Sequence, residues 1–385
     1  MDTSAAADAG EDLGDSMTDT RAFETKAIFS WNVPAFAGGD PAKFADKLKA
    51  AGFEAVYLKM AEGAYVFKPA WLRYPTWGEN VKQALIDALR SRGIKVIGWQ
   101  FNYGIDILGE ANTAIAQSLR FDLDGWIFDV ESKFEANAAA VANAYILSNK
   151  FKTACPDIPL ALCSWAQWRS PTGATWHNER MASAFMERCD VGMPMMYWSG
   201  DSAERAIWLL NESSRLWKNI TYKPLVPVGR AYTGDGGTIS PAAIKAFAAE
   251  VKRVGLKGIS WWALDSAARD AASWGALSET PGFAKNEVYI PIVSTPVPEQ
   301  PVEQPVTPPE TIVSDFLRFE ALVDGQNVRS IPSTSGGVAD VQRKLKKGEI
   351  VTASNVAGSD SWVEIAPGRW AAVRYGGVEY LRKVE

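Results

Sequence analysis

The chain has 385 residues, 47% of them hydrophobic, which is enough for two domains with a large core. Its formal net charge of -5 argues against a nucleic-acid partner, which usually meets a basic patch. Three scattered cysteines indicate no disulfide framework, and a single histidine, His177, argues against a catalytic triad or a histidine-based zinc site. We expect neither a metal nor a cofactor.

Residues 1–25 are acidic and rich in small residues, and they lack the basic start and apolar middle of a signal peptide. They predict a disordered leader. We find no apolar run of about 18 residues, so we expect no membrane insertion. We expect the protein to stay in the cytoplasm until release, or to be carried on a virion.

Residues 26–285 alternate between apolar runs and amphipathic stretches. Near-continuous apolar strands are typical of a parallel sheet buried on both faces, so the pattern predicts a (β/α)8 TIM barrel. A doubly wound sheet is the alternative, but it usually has a glycine-rich loop where this chain has Trp31-Asn32-Val33-Pro34. The predicted strands are 27–32, 55–60, 95–100, 125–131, 159–164, 191–197, 224–230 and 258–263. The predicted helices include 41–51, 78–92, 136–153, 178–188, 202–216 and 241–254.

The fourth predicted strand ends in two acids, Asp129 and Glu131. Side chains alternate along a strand, so these two carboxyls point to the same side. Two neighbouring carboxyls at the end of an apolar strand are costly to bury, and glycosidic bond cleavage uses such a pair. The structural alternative is a salt-bridged pair, with Lys59 or Arg230 as the partner. Cys163 has no nearby histidine and is predicted to be a buried, inert thiol.

The composition changes after residue 285. Residues 286–313 hold most of a proline-rich run and predict a semi-rigid spacer in polyproline II form, or a ligand for an aromatic groove. Residues 314–385 contain short strand-like runs separated by turn signals such as Asp324-Gly325, which predict a small all-β barrel. The predicted strands are 316–323, 349–354, 362–365, 369–374 and 379–382.

The first large domain resembles two families of glycoside hydrolases. Asp-Gly-Trp-Ile-Phe-Asp-Val-Glu at 124–131 resembles the family 18 chitinase signature Asp-Gly-x-Asp-x-Asp-x-Glu, with Ile127 in place of the first interior Asp. Residues 193–197 resemble that family's Met-x-Tyr strand, and residues 258–262 its terminal Trp strand. Residues 52–63 are similar to the Lys-Ala-Thr-Glu-Gly strand of family 25 muramidases, which share the Asp-x-Glu pair. Their first-strand Asp is missing here, where only Asn32 is available.

The C-terminal segment resembles the bacterial Src-homology-3-like domains found on cell-wall hydrolases. The matching residues are Asn-Val-Arg-Ser-Ile-Pro-Ser at 327–333, Leu-Lys-Lys-Gly-Glu at 345–349, Ser-Trp-Val at 361–363 and Arg-Trp-Ala at 369–371. The resemblance implies binding to peptidoglycan or another surface polymer. A structural or protein-binding barrel is the alternative.

Together the resemblances imply an Asp-x-Glu TIM-barrel glycosidase that cleaves an N-acetylhexosamine glycan of the cell wall, as a lysin or muramidase does. Glu131 is expected to be the general acid, with Asp129 ionised below it and orienting the substrate's acetamido group. Tyr197 is expected to hydrogen-bond that group, and Trp261 to floor the sugar site. Candidate sugar contacts are Asn32, Trp31, Lys59, Glu62, Gln100, Trp165, Arg230, Trp261 and Asp265.

Two other functions stay open. A degenerate barrel that binds glycan, or serves in a surface or phage-particle assembly, is favoured by Ile127 and by the missing first-strand Asp. A hydrolase acting on another polysaccharide is the third possibility. The expected partner is peptidoglycan or a related N-acetylated polysaccharide.

Overall fold

The computed structural model describes residues 18–68, 79–170, 172–234 and 238–283. In the C-terminal part it describes residues 317–322, 324, 326–329, 341–353, 355–357, 362–366, 369–372, 374–375, 378–379 and 381–384. The expected proline-rich linker, 286–313, lies outside the described residues.

Eight parallel strands form a closed sheet in which each strand lies beside the next one along the chain. The first strand pairs with both the second and the last, so the circle closes. This confirms the predicted (β/α)8 barrel and excludes the doubly wound sheet. The strands are β1 (Lys26–Ser30), β2 (Ala55–Glu62), β3 (Tyr65–Val66), β4 (Lys95–Asn102), β5 (Gly125–Val130), β6 (Leu160–Trp165), β7 (Val191–Met196), β8 (Val228–Arg230) and β9 (Ile259–Trp262), of which β3 is a short antiparallel partner of β2.

Strand β8 is shorter than the expected 224–230. Pro224 and Pro227 have no N–H group, so this stretch can accept hydrogen bonds but cannot donate at those positions. Pro224 accepts from Gly192 N at 2.9 Å, and Pro227 accepts from Ser260 N at 2.9 Å. The regular ladder therefore begins only after the second proline.

Helices cover the outside of the barrel, and several begin at a side-chain cap. Asp40, Asn178, Ser202 and Ser240 each accept a hydrogen bond from a first-turn N–H of the helix that follows. All six predicted helices form, and four further helices are additional: Ile107–Phe121, Ser132–Glu135, Leu264–Ala267 and Ala271–Glu279. The helices are α1 (Pro41–Ala50), α2 (Gln83–Arg90), α3 (Ile107–Phe121), α4 (Ser132–Glu135), α5 (Ala140–Ala154), α6 (Glu179–Met186), α7 (Ala203–Trp217), α8 (Pro241–Arg253), α9 (Leu264–Ala267) and α10 (Ala271–Glu279).

Alternate residues of each strand belong to two separate cores. The outward-facing residues pack under the helices, and the inward-facing ones fill the barrel. On β5, for example, Trp126, Phe128 and Val130 face outward, whereas Ile127 faces inward. The inner core consists mainly of large side chains, among them Phe29, Tyr57, Trp99, Ile127, Met193 and Val228.

The amino-terminal end of the barrel is closed by the residues just before β1. Phe23 is fully buried and belongs to the inner core together with Ala22. Thr25 accepts a hydrogen bond from Ile259 N at 2.9 Å. The expected leader over 1–25 is therefore wrong for residues 18–25, which pack as part of the barrel, and its residues 1–17 lie outside the described ones.

The C-terminal part contains only antiparallel pairings among its described strands. Two sheets, of three and five strands, and a two-stranded ladder account for them. This agrees with an all-β segment of short strands. The strands are β10 (Leu317–Ala321), β11 (Gln326–Arg329), β12 (Val341–Leu345), β13 (Ile350–Ala353), β14 (Asn355–Ala357), β15 (Trp362–Ala366), β16 (Arg369–Ala372), β17 (Arg374–Tyr375), β18 (Val378–Glu379) and β19 (Leu381–Val384).

All three cysteines are free and buried. None of the helices over the described residues has the length and apolar character needed to cross a bilayer.

Candidate active site

Strand β5 carries an acid pair into the barrel at the carboxyl-terminal rim, where the parallel strands end. Ile127 belongs to the inner core, so Asp129, two residues further along, points inward as well. Glu131 follows after another two residues and begins helix α4 as its N-cap. Asp129 is only 5% exposed, whereas Glu131 is half-buried. The deeper acid is thus enclosed, and the outer one faces the rim.

Burial dominates the electrostatics of this acid pair. It raises the pKa of Asp129 well above its usual range, and the neighbouring Glu131 carboxylate raises it further, while Lys59 and Cys163 oppose the shift. Burial also raises the pKa of Glu131, again opposed by Lys59. Asp129 Oδ1 is buried and has no hydrogen-bond partner. Burial thus opposes ionisation of both carboxyls, and the charge of Glu131 further opposes ionisation of Asp129.

Cys163 lies beside Asp129 in the parallel register of β5 and β6. Burial raises the pKa of its thiol, and the charges of Asp129 and Glu131 raise it further. A thiol held protonated is a poor nucleophile, which agrees with the predicted inert cysteine.

Tyr197 follows strand β7 and brings its phenol to the same place. Burial raises the pKa of Tyr197 well above its usual range, with further contributions from Cys163, Asp129, Tyr232 and Glu131. The rings of Tyr197 and Tyr232 meet edge to face at 5.8 Å. The phenol of Tyr197 therefore stays a neutral hydrogen-bonding group within the electrostatic reach of both carboxyls.

Lys59, on strand β2, lies within electrostatic reach of both acids. Its ammonium forms an ion pair with Glu62 at 2.9 Å and lies over the rings of Phe67 and Trp99, at 4.3 and 5.0 Å from their centroids. Tyr103 donates a hydrogen bond to Glu62 at 2.6 Å. Burial would raise the pKa of Glu62, but Tyr103 and Lys59 lower it below its usual range. Glu62 is thus held ionised beside Lys59.

Trp165, at the end of strand β6, is half-buried and faces the rim from the other side. Its indole N–H donates to Glu135 at 3.1 Å, and its ring stacks on His177 at 4.2 Å. Of the predicted site residues, Asp129, Lys59 and Tyr197 lie at inward-facing positions at this end of the barrel, Glu131 lies at the rim, and Trp165 packs against both the inner and the outer core.

Trp261 does not floor the site, and that expectation is wrong. In the register of β9 with β1 it pairs with Ile28, which faces outward. Trp261 is fully buried outside the barrel, where its ring packs on Phe247 of helix α8 at 5.6 Å. The next residue, Trp262, faces inward instead and contacts the rings of Phe29 and Trp99, each at 5.5 Å.

Gln100 and Arg230 are not sugar contacts either. Gln100 pairs in register with outward-facing Phe128, is fully buried, and donates to the carbonyls of Gly63 and Glu110 at 2.7 and 3.0 Å. Arg230 is fully buried, and its guanidinium donates to backbone carbonyls of the loops after β7 and β8, including Trp198 O at 2.6 Å. Both side chains hold loops in place.

Asp265 ties the end of β9 to the end of β1. Its carboxylate accepts from the backbone N–H of Trp31 at 3.2 Å, and the N–H of Asn32 also bonds to it. Burial raises the pKa of Asp265 to about 6 against these donors. Because Asp265 is buried and its Oδ1 is covered, it organises Trp31 and Asn32 and does not contact a sugar itself.

Several residues of this rim were missed from the sequence: Trp262, Tyr103, Glu135 and His177. Strand alternation would select Trp262 over Trp261 only if the residues of β9 that face inward were already known. The other three lie in loops or at a helix end, where no sequence period indicates which way a side chain points. Among the described residues, no three histidine, cysteine, aspartate or glutamate side chains come together as a metal site requires.

No family model matches this chain, and no curated protein sequence does. Part of this chain is similar to several solved structures. A family 18 chitinase from Pseudoalteromonas aurantia has 14% identity and a TM-score of 0.49, covering 67% of this chain and 100% of its own. A class V chitinase mutant from Cycas revoluta, bound to (GlcNAc)3, has 13% identity and a TM-score of 0.48, covering 66% and 99%. The Bacillus megaterium spore cortex-lytic enzyme SleL has 9% identity and a TM-score of 0.46, covering 66% and 73%. At these scores the similarities decide nothing about function, which has to follow from the side chains of the site.

Proposed function

We propose that the barrel hydrolyses glycosidic bonds in an N-acetylhexosamine glycan of the bacterial cell wall, in the manner of a lysin or muramidase. The observation that carries this proposal is the inward-facing acid pair of β5, with Asp129 enclosed and Glu131 at the rim. Two carboxyls with raised pKa values at the carboxyl end of a barrel strand are a costly arrangement that glycoside hydrolysis uses.

The placement of both acids at the end of one strand favours substrate assistance. Retaining and inverting glycosidases place their two carboxyls on opposite sides of the scissile bond. Asp129 and Glu131 lie on the same side, one above the other, so they cannot flank a sugar ring. The substrate's own acetamido oxygen then has to attack the anomeric carbon, which requires an N-acetylhexosamine.

Glu131 protonates the leaving glycosidic oxygen because it is the acid nearer to the rim. The bond to the leaving group breaks as the acetamido oxygen forms a bond to the anomeric carbon. This leaves a positively charged oxazolinium ring above Asp129. The negative charge that remains on the acid pair stabilises this ring, and Tyr197 holds the acetamido oxygen by a hydrogen bond. Water then attacks the anomeric carbon, the bond between that carbon and the acetamido oxygen breaks to restore the acetamido group, and the Glu131 carboxylate takes up the proton of the water.

The direct test is Glu131→Gln, assayed by the release of reducing sugar ends from a bacterial cell-wall preparation. Loss of a general acid should lower the rate by about 10²-fold or more. Glu187→Gln is the matched control, since Glu187 bonds to Tyr145 at 2.5 Å on the outer surface. Retention of most activity by Glu131→Gln would reject Glu131 as the acid.

A non-catalytic barrel that binds glycan, or serves in a surface or phage-particle assembly, is the second candidate. It is favoured by Ile127, which leaves Asp129 without a neighbouring carboxyl below it, and by Asn32 in place of an acid after β1. Binding of wall material by the unmodified protein without any release of reducing ends would decide for this function. Cleavage of a glycan without N-acetyl groups would instead indicate a different polysaccharide substrate.

We further propose that residues 314–385 form a Src-homology-3-like domain that binds peptidoglycan. A weak binding module on a tether raises the effective concentration of the barrel at the wall. Deletion of residues 312–385 should therefore weaken sedimentation with insoluble walls by about tenfold or more, while hydrolysis of a small soluble glycan is retained. An equal loss of wall sedimentation and of soluble-glycan hydrolysis would contradict the proposal that residues 314–385 act by holding the barrel at the wall.

A further inference from the structure

We infer that Glu135 and His177 position Trp165 as a stacking platform for a sugar ring beside Glu131. This inference rests on the proposed function only in taking a sugar as the ligand. It concerns binding, and the experiments below separate it from catalysis.

Three contacts determine the orientation of Trp165. Its indole N–H donates a hydrogen bond to Glu135 Oε2 at 3.1 Å. One face of its ring lies on the imidazole of His177, with centroids 4.2 Å apart and planes inclined by 12°. Its backbone carbonyl accepts from the indole N–H of Trp217 at 3.0 Å. The ring is therefore held in one plane, with its polar atom satisfied and one face covered.

Glu135 accepts hydrogen bonds from both Trp165 and His177. Its Oε2 also accepts from His177 Nδ1 at 3.0 Å, and its Oε1 accepts from the backbone N–H of Asn178. Because a carboxylate only accepts, His177 has to carry its proton on Nδ1. The carboxylate of Glu135 is 17% exposed and the imidazole 27% exposed, so this network is only partly open to water. If Trp165 and His177 only packed against each other, the Glu135 carboxylate would not need to accept hydrogen bonds from both rings.

The same residue connects the platform to the acid. The backbone N–H of Glu135 donates to the carbonyl of Glu131 at 3.0 Å, within the short helix α4. The side chain of Glu135 thus sets where Trp165 lies, and its main chain is bonded to the residue proposed as the acid. The residue that holds Trp165 therefore lies one helical turn from the residue proposed as the acid.

A ring held in this way suits a pyranose. The face of an aromatic ring carries partial negative charge, and the C–H groups on one face of a pyranose are the matching apolar surface. Trp165 is half-buried at the rim, whereas Trp168, Trp198 and Trp217 are almost fully buried and serve as packing. Trp165 is thus a rim tryptophan whose plane is determined before any ligand arrives, which reduces the entropy lost on binding.

The test measures binding by isothermal titration calorimetry in the Glu131→Gln background, with tri-N-acetylchitotriose and a soluble disaccharide-peptide from peptidoglycan as probes. Trp165→Ala should weaken binding of at least one probe by about tenfold, and His177→Ala and Glu135→Gln by about threefold or more. His177→Phe keeps a ring under Trp165 and should restore part of the loss. Trp208→Ala, which removes an exposed tryptophan of helix α7, is the matched control and should bind like the parent.

Two further readouts distinguish positioning from general stability. In otherwise unmodified protein, His177→Ala should raise KM for a soluble glycan and leave kcat within about twofold, because the platform binds ground state and transition state alike. The double variant Trp165→Ala/His177→Ala should bind no more weakly than Trp165→Ala alone, since His177 acts through Trp165.

Parent-like binding by His177→Ala and Glu135→Gln would overturn the inference, as would fully additive losses in the double variant or no binding of either probe. These outcomes are separate from the failure of the hydrolase proposal. A protein that binds the probes through Trp165 yet releases no reducing ends retains the platform and loses only the catalytic assignment.

Discussion

Replacing Glu131 by Gln should stabilise the barrel, and increasingly so as the pH rises. Folding raises the pKa values of Asp129 and Glu131 from their ordinary values of 3.8 and 4.5. The folded state therefore binds these protons more tightly than the unfolded state does. The associated stability is fully present below the ordinary pKa values and is lost as the pH rises through the raised ones. Above that window the folded protein holds two neighbouring negative charges, of which Asp129 is buried and Glu131 half-buried.

The size of the effect follows from the strand geometry. Positions 129 and 131 are separated by two rises of about 3.3 Å, or about 6.6 Å. Two unit charges at that distance repel by about 2.5 kcal/mol at an effective dielectric constant of about 20. Glu131 is partly open to solvent, so we expect about 1 to 2.5 kcal/mol of relief at neutral pH from Glu131→Gln.

The assay is urea unfolding followed by tryptophan fluorescence, at steps from about pH 4 to pH 8, for the unmodified protein, Glu131→Gln and the surface control Glu187→Gln. The gap in unfolding free energy between Glu131→Gln and the unmodified protein should be small at the acid end and widen towards neutral pH. Glu187→Gln should show no such widening. Parallel curves for the Glu131→Gln and unmodified proteins would refute the interacting, buried acid pair.

Two other predictions concern the walls of the barrel. Gly229→Ala should destabilise the protein by about 1 to 3 kcal/mol in urea unfolding, because a Cβ there comes within 2.6 Å of the Trp261 ring; Gly275→Ala in helix α10, where a Cβ meets nothing within 4 Å, should be neutral or stabilising. Trp261→Ala should lower the free energy of unfolding by about 3 to 5 kcal/mol, while the protein that remains folded binds tri-N-acetylchitotriose normally. Trp262→Ala should weaken that binding. The reverse pattern would contradict the assigned orientations of the two tryptophans.

The common orientation of the two acids could be predicted from the local sequence alone. The spacing of Asp129 and Glu131 within an apolar strand is a local property, since a period of two places both on one face whatever surrounds them. The eight-fold alternation of strands and helices likewise predicts a closed parallel sheet, and all eight strands and all six predicted helices form.

The predictions that proved wrong concern side chains whose orientation depends on neighbouring strands and loops. Trp261 and Trp262 are adjacent tryptophans on opposite faces of β9, and only the register with β1 decides which one faces inward. Gln100 shares an outward face with Phe128, and Arg230 is enclosed by loop carbonyls that are distant in sequence. The network of Glu135 and His177 joins residues 42 positions apart, so no local pattern marks it.

The sequence by itself determined the strands, their order and the presence of two acids on one face, because these depend on residue type and a period of two. Only the tertiary structure decided which tryptophan faces the barrel interior and which polar side chains hold loops. Burial, register and long-range hydrogen bonds are properties of the packed chain, and it is burial that shifts the pKa values on which the proposed chemistry depends.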